Sequence, residues 1–364
     1  MDDSAFMARA LALAARGLGL TSPNPAVGAV LVRDGDVVGE GAHMRAGGPH
    51  AEAAALAEAG NAARAATCYV TLEPCAHHGR TPPCADALIA AGVARVVAAC
   101  RDPNPQVDGR GLARLREAGI EVTLGVGETE ARALNRAFFT FVTTGRPHVT
   151  LKSAMTLDGK IAAWDGTSRW ITGEPARVEA HRLRFRADAL LVGVGTVLRD
   201  DPMLTVRLPD APPKEPVRVV ADSRLRTPLD AQVVGVGDPS RTILACAAPA
   251  PRRRASALRE RGVRVLELPA DGRRVDLRAL LRALAELDVV AVLAEGGAEL
   301  GAALLDAGLV DRVAFFAAPR LLGGRRAPGP LGGVGRTLKE AVSVHGLHYR
   351  MIGDDLLLEG DVSR

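Results

Sequence analysis

The 364-residue chain carries Pro49-His50-Ala51-Glu52, then Glu73-Pro74-Cys75, then Cys84. One imidazole and two thiolates make three ligands for a zinc ion. Zinc with three protein ligands keeps its fourth position open for water, the arrangement of a catalytic site. The metal lowers the pKa of that water from ~16 toward neutrality, so hydroxide is available at ordinary pH. Glu52, two residues past the imidazole, is not needed as a ligand. Its carboxylate can take a proton from the water and deliver it to a leaving amine. His50, Cys75 and Cys84 as ligands, with Glu52 as acid/base, therefore point to hydrolytic removal of an amine. A buried structural role would suit one cysteine alone, not a His-x-Glu with two spaced thiols. A scaffold with structural zinc would have no use for Glu52.

These residues need elements to hold them. Residues 27–41 read as a hairpin, with Asp34-Gly35 as the turn signal. An Ala-rich helix is expected from about 50 to 58, a buried strand over 67–72, and a second helix over 83–91, punctuated by Pro82-Pro83 and Gly92. His50 and Glu52 then open one helix, and Cys75 and Cys84 flank the start of the other. Helix N-termini favour negative charge and so help keep thiolates ionised. A strand over 93–100, a helix over 111–118 and a strand over 120–126 continue the alternation of an α/β unit. Residues 128–147 read as one helix and a connector, so Gly145-Arg146-Pro147 divides the chain into domains 1–145 and 146–364. Strands are expected at 149–154, 188–193, 217–221, 242–247, 264–268, 289–295 and 312–317, giving a second α/β unit.

Composition narrows the partners. The net charge is +4, but only four basic residues are Lys (152, 160, 214 and 339) and the arginines are scattered. Aromatic residues are 3%, so stacking platforms for single strands are few. A nucleic-acid-editing deaminase, the rival class, predicts a basic stripe and stacking aromatics; neither is evident, and no nucleic-acid partner is expected. Five cysteines, an odd and sparse count, fit a reduced cytoplasmic protein better than a disulfide framework. The N-terminus starts acidic and reads as an amphipathic helix interrupted by Arg9 and Arg16, not a signal peptide. No apolar run reaches the ~20 residues of a membrane span, so no membrane partner is expected.

The His-x-Glu…Pro-Cys pattern is that of zinc deaminases acting on amino-substituted heterocycles. Its usual C-x-x-C is replaced here by eight residues between Cys75 and Cys84. That segment, P-C-x-H-x-G-R-T-P-P-C, resembles the deaminase half of the bifunctional riboflavin-biosynthesis deaminase/reductase family. Lys152-Ser-Ala-Met-Thr-Leu-Asp-Gly-Lys160, Ser168-Arg-Trp-Ile-Thr172, Gly193-Val-Gly-Thr196 and Asp200-Asp-Pro-x-Leu-Thr-Val-Arg207 resemble its reductase half. The resemblance implies a cytidine-deaminase-like three-layer domain followed by a dihydrofolate-reductase-like domain that uses NADPH. No G-x-G-x-x-G follows the first strand of the second half, so a Rossmann reading fails.

By matching position, the resemblance implies that Ala154, Trp170, Thr196, Asp200, Ser223 and the turn Gly297, Ala298, Glu299, Leu300 contact NADP. It implies that Ser168, Arg184, Leu204, Arg207 and Glu295 contact a phosphorylated pyrimidine substrate. Guanidinium groups suit its phosphate, since they bind phosphate as a planar fork. Asn24, in Thr21-Ser-Pro-Asn-Pro-Ala-Val-Gly28, would hydrogen-bond the pyrimidine, its amide offering donor and acceptor. The loop Asp102-Pro-Asn-Pro-Gln-Val-Asp-Gly109 shapes the same mouth. His77 and His78 are given a loop or substrate-contacting role, and His43 a surface or core one. The expected protein is a homo-oligomer that deaminates the diaminopyrimidine ribosyl phosphate and then reduces its ribosyl group to ribityl.

Overall fold

Side chains along β1 (Gly28–Arg33) go alternately to two cores, Ala29 and Leu31 to one, Val30 and Val32 to the other. The same alternation runs through β3 (Thr67–Val70) and β4 (Arg95–Ala98), so apolar layers must cover both faces of their sheet. The computed structural model describes residues 2–76 and 83–363, which form two units, Met1–Arg146 and Pro147–Arg364. In the first unit, β2 (Asp36–Ala42) and β5 (Glu121–Leu124) complete a sheet of order β2-β1-β3-β4-β5. The pairs at β1 are antiparallel, and β3, β4 and β5 run parallel. Helix α1 (Asp3–Ala15) covers one face through Phe6, Met7 and Ala10. On the other face lie α2 (Ala51–Ala59), α3 (Cys84–Ala91) and α4 (Arg110–Glu117), packed through Ala51, Ala55, Ala85, Leu88, Leu112 and Leu115.

Small residues set the closest approach in this layer. A Cβ at Gly41 of β2 would stand 2.0 Å from the Ala51 carbonyl oxygen, and one at Gly39 would stand 2.4 Å from that of Ala55. The α2 backbone therefore lies directly on the strand, which fixes His50 at the N-cap of α2. The stretch expected as one helix is two, α5 (Glu128–Leu134) and α6 (Arg136–Thr144). Asn135 breaks it because its side chain is spent elsewhere: Oδ1 accepts from the Ala26 N–H and Nδ2 donates to the Ala26 carbonyl, both at 2.8 Å. A buried amide used as a backbone substitute leaves no signal in hydrophobic periodicity.

The second unit is a nine-stranded sheet of order β10-β9-β8-β7-β13-β6-β14-β16-β15. Its parallel strands are β6 (His148–Thr156), β7 (Ala189–Gly193), β8 (Val217–Ala221), β9 (Thr242–Ala247), β10 (Arg264–Leu268), β13 (Ala291–Glu295) and β14 (Arg312–Ala318). An antiparallel hairpin, β15 (Val344–Ile352) and β16 (Asp355–Val362), extends the β14 edge. That hairpin was not expected from sequence, because β15 is exposed almost throughout and lacks the alternation of a half-buried strand. A small pair, β11 (Ala270–Asp271) and β12 (Arg274–Val275), stands apart from the main sheet. Helices α7 (Glu174–Arg186), α8 (Val194–Asp200), α9 (Gln232–Gly235), α10 (Arg252–Glu260), α11 (Leu277–Ala285) and α12 (Ala298–Asp306) lie in the connections. Val149, Ala189, Leu191 and Val292 face a core with Leu280, Leu284 and Leu304; Leu190, Val192, Val220 and Leu244 face another with Val197 and Leu258. Among the described residues, no helix is long and apolar enough to cross a membrane.

Replacing Gly41 by Ala forces α2 off β2. Overpacking of this kind costs about 1–3 kcal/mol, which a fall in the urea midpoint of the first unit would register; an unchanged midpoint would show that the contact is not tight.

Candidate active sites

In the first unit the cap of α2 and the start of α3 converge. His50 Nδ1 lies 3.2 Å from Cys84 Sγ and 3.6 Å from Cys75 Sγ, and the three ligand atoms are all within 4.8 Å of one another. The loop carrying Cys75 is tied to the N-terminus of α3: the Cys84 N–H donates to Cys75 Sγ at 3.3 Å, and the Ala85 N–H to the Cys75 carbonyl at 3.2 Å. Hydrogen bonds from Cys84 and from His50 pull the Cys75 thiol down, outweighing burial, so it ionises first of the pair. One imidazole and two cysteines at such spacing suit a zinc ion.

Glu52, in the first turn of α2, is buried at 4% exposure. Burial pushes its carboxyl up to about 7, against the pull of its own backbone N–H, with the nearby Cys75 adding to the rise. It can therefore hold or release a proton near neutral pH. His43 belongs to the same cluster: its ring meets that of His50 edge to face at 5.4 Å. Its Nδ1–H donates to the Pro49 carbonyl at 2.8 Å, and burial keeps it neutral, so Nε2 accepts from Asn24 Nδ2 at 3.2 Å. The Asn24 amide is thereby held by His43, whose ring packs against that of His50. His77 and His78 lie outside the described residues.

Glu73 has a different task. Its Oε2 accepts from Asp102 and Gly109 N–H groups at 3.2 and 3.0 Å, and its Oε1 from Gly111 and Leu112 at 3.0 and 3.3 Å. One carboxylate thus holds both ends of the 102–109 loop and caps the N-terminus of α4, beside the strand end that leads to Cys75.

In the second unit, the C-terminal ends of β6, β7 and β13 open into a groove of about 700 Å³, the usual ligand position in an open parallel sheet. Lys152 and Glu295 are register partners on β6 and β13. Arg184 of α7 closes on Glu295 as a fork, with Nε to Oε1 at 2.8 Å and Nη2 to Oε2 at 2.6 Å, while its Nη1 donates to the Thr205 carbonyl at 3.0 Å. Burial alone would raise the Glu295 carboxyl; Arg184 and Lys152 outweigh it and hold it at about 2. Burial and Arg184 lower Lys152 below its ordinary value, with Glu295 opposing. At the groove's side, Gly296 and Gly297 take φ of +70° and +82°, open only to glycine at low cost. A Cβ at Gly297 would press within 3.2 Å of Thr196 Oγ1. The turn leads into α12, whose free N–H groups can receive a phosphate.

Comparison with known proteins agrees with both halves. Residues 1–100 match the cytidine and deoxycytidylate deaminase zinc-binding region, and residues 147–358 match the RibD C-terminal domain. The riboflavin biosynthesis protein RibD of Actinobacillus pleuropneumoniae is 47% identical over 360 residues, 99% of this chain and 95% of that protein. The chain belongs to the RibD family. RibD of Escherichia coli K12 is 47% identical over 336 residues, 89% of each chain. A solved structure of Acinetobacter baumannii RibD superposes with a TM-score of 0.89 at 40% identity, covering 100% of this chain and 99% of that one. The Thermotoga maritima deaminase/reductase gives 0.85 at 38%, covering 99% of each. RibD is a bifunctional deaminase and reductase of riboflavin biosynthesis, with a zinc-binding deaminase domain and an NADPH-dependent reductase domain.

Within this RibD chain, the groove brings together Ala154, Ser168, Trp170, Arg184, Thr196, Asp200, Leu204, Glu295 and the Gly297–Leu300 turn. Ser223 lines a neighbouring cavity instead. Arg207 lines neither; it is exposed, close enough to Arg184 for that charge to lower its pKa after burial, and its N–H donates to His181 Nδ1 at 3.2 Å. The Arg184 fork, expected to be open for phosphate, is occupied by Glu295. Sequence reasoning left Lys152, His43, Glu73 and Asn135 without these roles. Lys152 stood inside a quoted motif, and only strand register set it beside Glu295.

Glu73→Ala would leave four backbone N–H groups without their acceptor. We expect a loss of about 3 kcal/mol in equilibrium unfolding of the first unit; a loss under about 1 kcal/mol would mean that water replaces the carboxylate readily.

Proposed function

We propose that the first unit deaminates 2,5-diamino-6-ribosylamino-4(3H)-pyrimidinone 5′-phosphate and that the second reduces the ribosyl group of the product to ribityl. The name of the Thermotoga relative, a diaminohydroxyphosphoribosylaminopyrimidine deaminase/5-amino-6-(5-phosphoribosylamino)uracil reductase, supports this substrate. The observation that carries the reading is a buried, unligated carboxylate, Glu52, beside a three-ligand cluster, in one chain with a Lys152–Glu295 pair in a second site. We propose the domains as 1–145 and 146–364, and the assigned residues as the sites.

His50, Cys75 and Cys84 would hold zinc, which supplies a water acidified toward neutral pH when bound. Glu52 takes a proton at its carboxylate and passes it to the departing amine nitrogen. Asn24, oriented by His43, reads the pyrimidine edge. In the second unit NADPH supplies the hydride, with Ala154, Trp170, Thr196, Asp200, Ser223, Gly297, Ala298, Glu299 and Leu300 as its contacts. Among the described residues, Lys152 is the one lysine lining the groove, and it holds the proton that reduction consumes. Glu295, kept anionic by Arg184, acts on the Lys152 ammonium through its charge, while that ammonium lies over the Phe316 ring at 5.7 Å. Ser168, Leu204 and Arg207 face the substrate, and Arg207 carries the guanidinium left for its phosphate.

The assembly is proposed as a homo-oligomer. Edge strand β15 presents Leu347, Tyr349 and Met351 at 57, 73 and 60% exposure, a face that a second copy can cover. A reducing compartment, the cytoplasm, suits five cysteines that are all unpaired.

The test is an assay of purified protein with the diaminopyrimidine ribosyl phosphate, with metal analysis. Ammonia is released without NADPH, NADPH is oxidised once added, and about one zinc is bound per chain. Zinc without ammonia release would mean a different deaminase substrate. Glu52→Gln keeps zinc and loses deamination by about 10²-fold or more; full turnover would refute the proton transfer. The reductase kcat falls as pH rises through the Lys152 pKa, with a midpoint below the ~10.4 of a free lysine; an unchanged profile in Lys152→Met would exclude it as the donor. Arg207→Ala raises KM for the reductase substrate more than that for NADPH, and equal rises would contradict the phosphate role.

A further inference from the structure

The loop 201–207 carries Leu204 and Arg207, both assigned to the substrate, and three anchors hold it. At its start, Asp201 Oδ1 accepts the Gln232 N–H at 2.8 Å, while Gln232 Nε2 donates to the Asp201 carbonyl at 2.8 Å and to Asp201 Oδ2 at 3.2 Å. In its middle, Leu204 is buried in the core that holds Val197 and Leu225. At its end, α7 reaches across to it. Arg184 Nη1 donates to the Thr205 carbonyl at 3.0 Å, and His181 Nδ1 accepts the Arg207 N–H at 3.2 Å. Residues three apart share a helix face, so one face of α7 grips two backbone groups of the loop.

The two grips differ in what else they do. Arg184 is fixed by its fork on Glu295 whether or not the loop is present. His181 makes, among the described residues, this one hydrogen bond. The bond needs a ring nitrogen that accepts, hence a neutral imidazole with its proton on Nε2. Burial, then the Arg184 and Arg207 charges, hold the His181 pKa down at about 4, with Glu295 opposing and Lys152 adding. The acceptor at Nδ1 therefore persists through the neutral range. Arg207 itself is exposed, and its guanidinium has one intramolecular partner, Thr205 Oγ1, which accepts from Nη1 at 3.0 Å. Past Arg207 the chain enters the Pro-rich stretch 208–216. The aim of the guanidinium then depends on where the Arg207 backbone is held, and holding it lowers the ordering cost of binding an anion.

We infer that His181 is a positioning residue of the reductase: by holding the Arg207 N–H it aims the Arg207 guanidinium at the phosphate of the substrate, and so sets the affinity for the phosphorylated sugar without touching it. The inference rests on the assignment of Arg207 to that phosphate. The residue type fits the task. A carboxylate at this place would also accept the N–H, but it would pair with Arg184 or Arg207 and compete with Glu295 and with phosphate. A lysine or arginine would offer no acceptor. A neutral imidazole accepts the N–H and leaves the Arg207 charge for the ligand.

The full chain is assayed as wild type, His181→Ala, His181→Asn, Arg207→Ala and His181→Ala/Arg207→Ala, with NADPH and with the reductase substrate carrying or lacking its 5′-phosphate. Asparagine keeps an uncharged acceptor at the place of Nδ1. His181→Ala should raise KM for the phosphorylated substrate about tenfold, with kcat and the KM for NADPH within about twofold of wild type. The unchanged KM for NADPH is the control for folding. His181→Asn should recover most of the loss. The effect of His181→Ala should vanish with the substrate that lacks phosphate, and also in the Arg207→Ala background, because the two residues act as one unit. An effect that persists in either case, an equal rise in KM for NADPH, an equal loss in His181→Asn, or no effect at all would each overturn the inference. Where Arg207→Ala leaves the substrate KM unchanged, the assignment of Arg207 falls and this inference with it. Where Arg207→Ala raises that KM and His181→Ala does not, the inference alone falls.

Discussion

A carboxylate taken out of water must be neutralised, paired or surrounded by donors, and the two sites of this protein are organised around three answers to that demand. Glu73 is surrounded: four backbone N–H groups converge on it and make it a structural anchor. Glu295 is paired: the Arg184 fork and the Lys152 ammonium outweigh its burial. Glu52 has neither arrangement, and burial leaves its carboxyl near neutrality. One residue type stands as a brace, as a fixed charge and as a carboxyl that can titrate near neutral pH, and environment alone sets which.

The pairing at Glu295 has consequences across the second unit. A buried ion pair contributes little net stability, but removing one partner typically costs about 3–5 kcal/mol because the other is left uncompensated. Arg184 is therefore committed to Glu295 and to the Thr205 carbonyl. Its guanidinium is thus spent within the wall of the groove.

In the first unit the equivalent constraint is geometric. Three ligand atoms from one helix cap, one loop and one helix start must meet within a few ångströms. Gly39 and Gly41 let α2 lie on β2, which sets His50. The Cys84 N–H and the Ala85 N–H tie the Cys75 loop to α3. His43 and Asn135 then fix the segment carrying Asn24 from two sides, one through the amide and one through the Ala26 backbone.

By itself the sequence determined the chemistry of the zinc cluster, the alternation that makes both units α/β, and the segments that recur in the family. Those signals are local: ligand spacing, period-two apolar runs, Gly and Pro punctuation. Only the tertiary structure decided which polar groups face each other. That Lys152 stands beside Glu295 depends on the register of β6 against β13, about 140 residues apart. The break at Asn135 and the brace at Glu73 depend on backbone groups that any residue supplies, so no pattern of side chains marks them. The hairpin of β15 and β16 escaped for the same reason in reverse: an exposed edge strand has no buried face to impose a period on its residues.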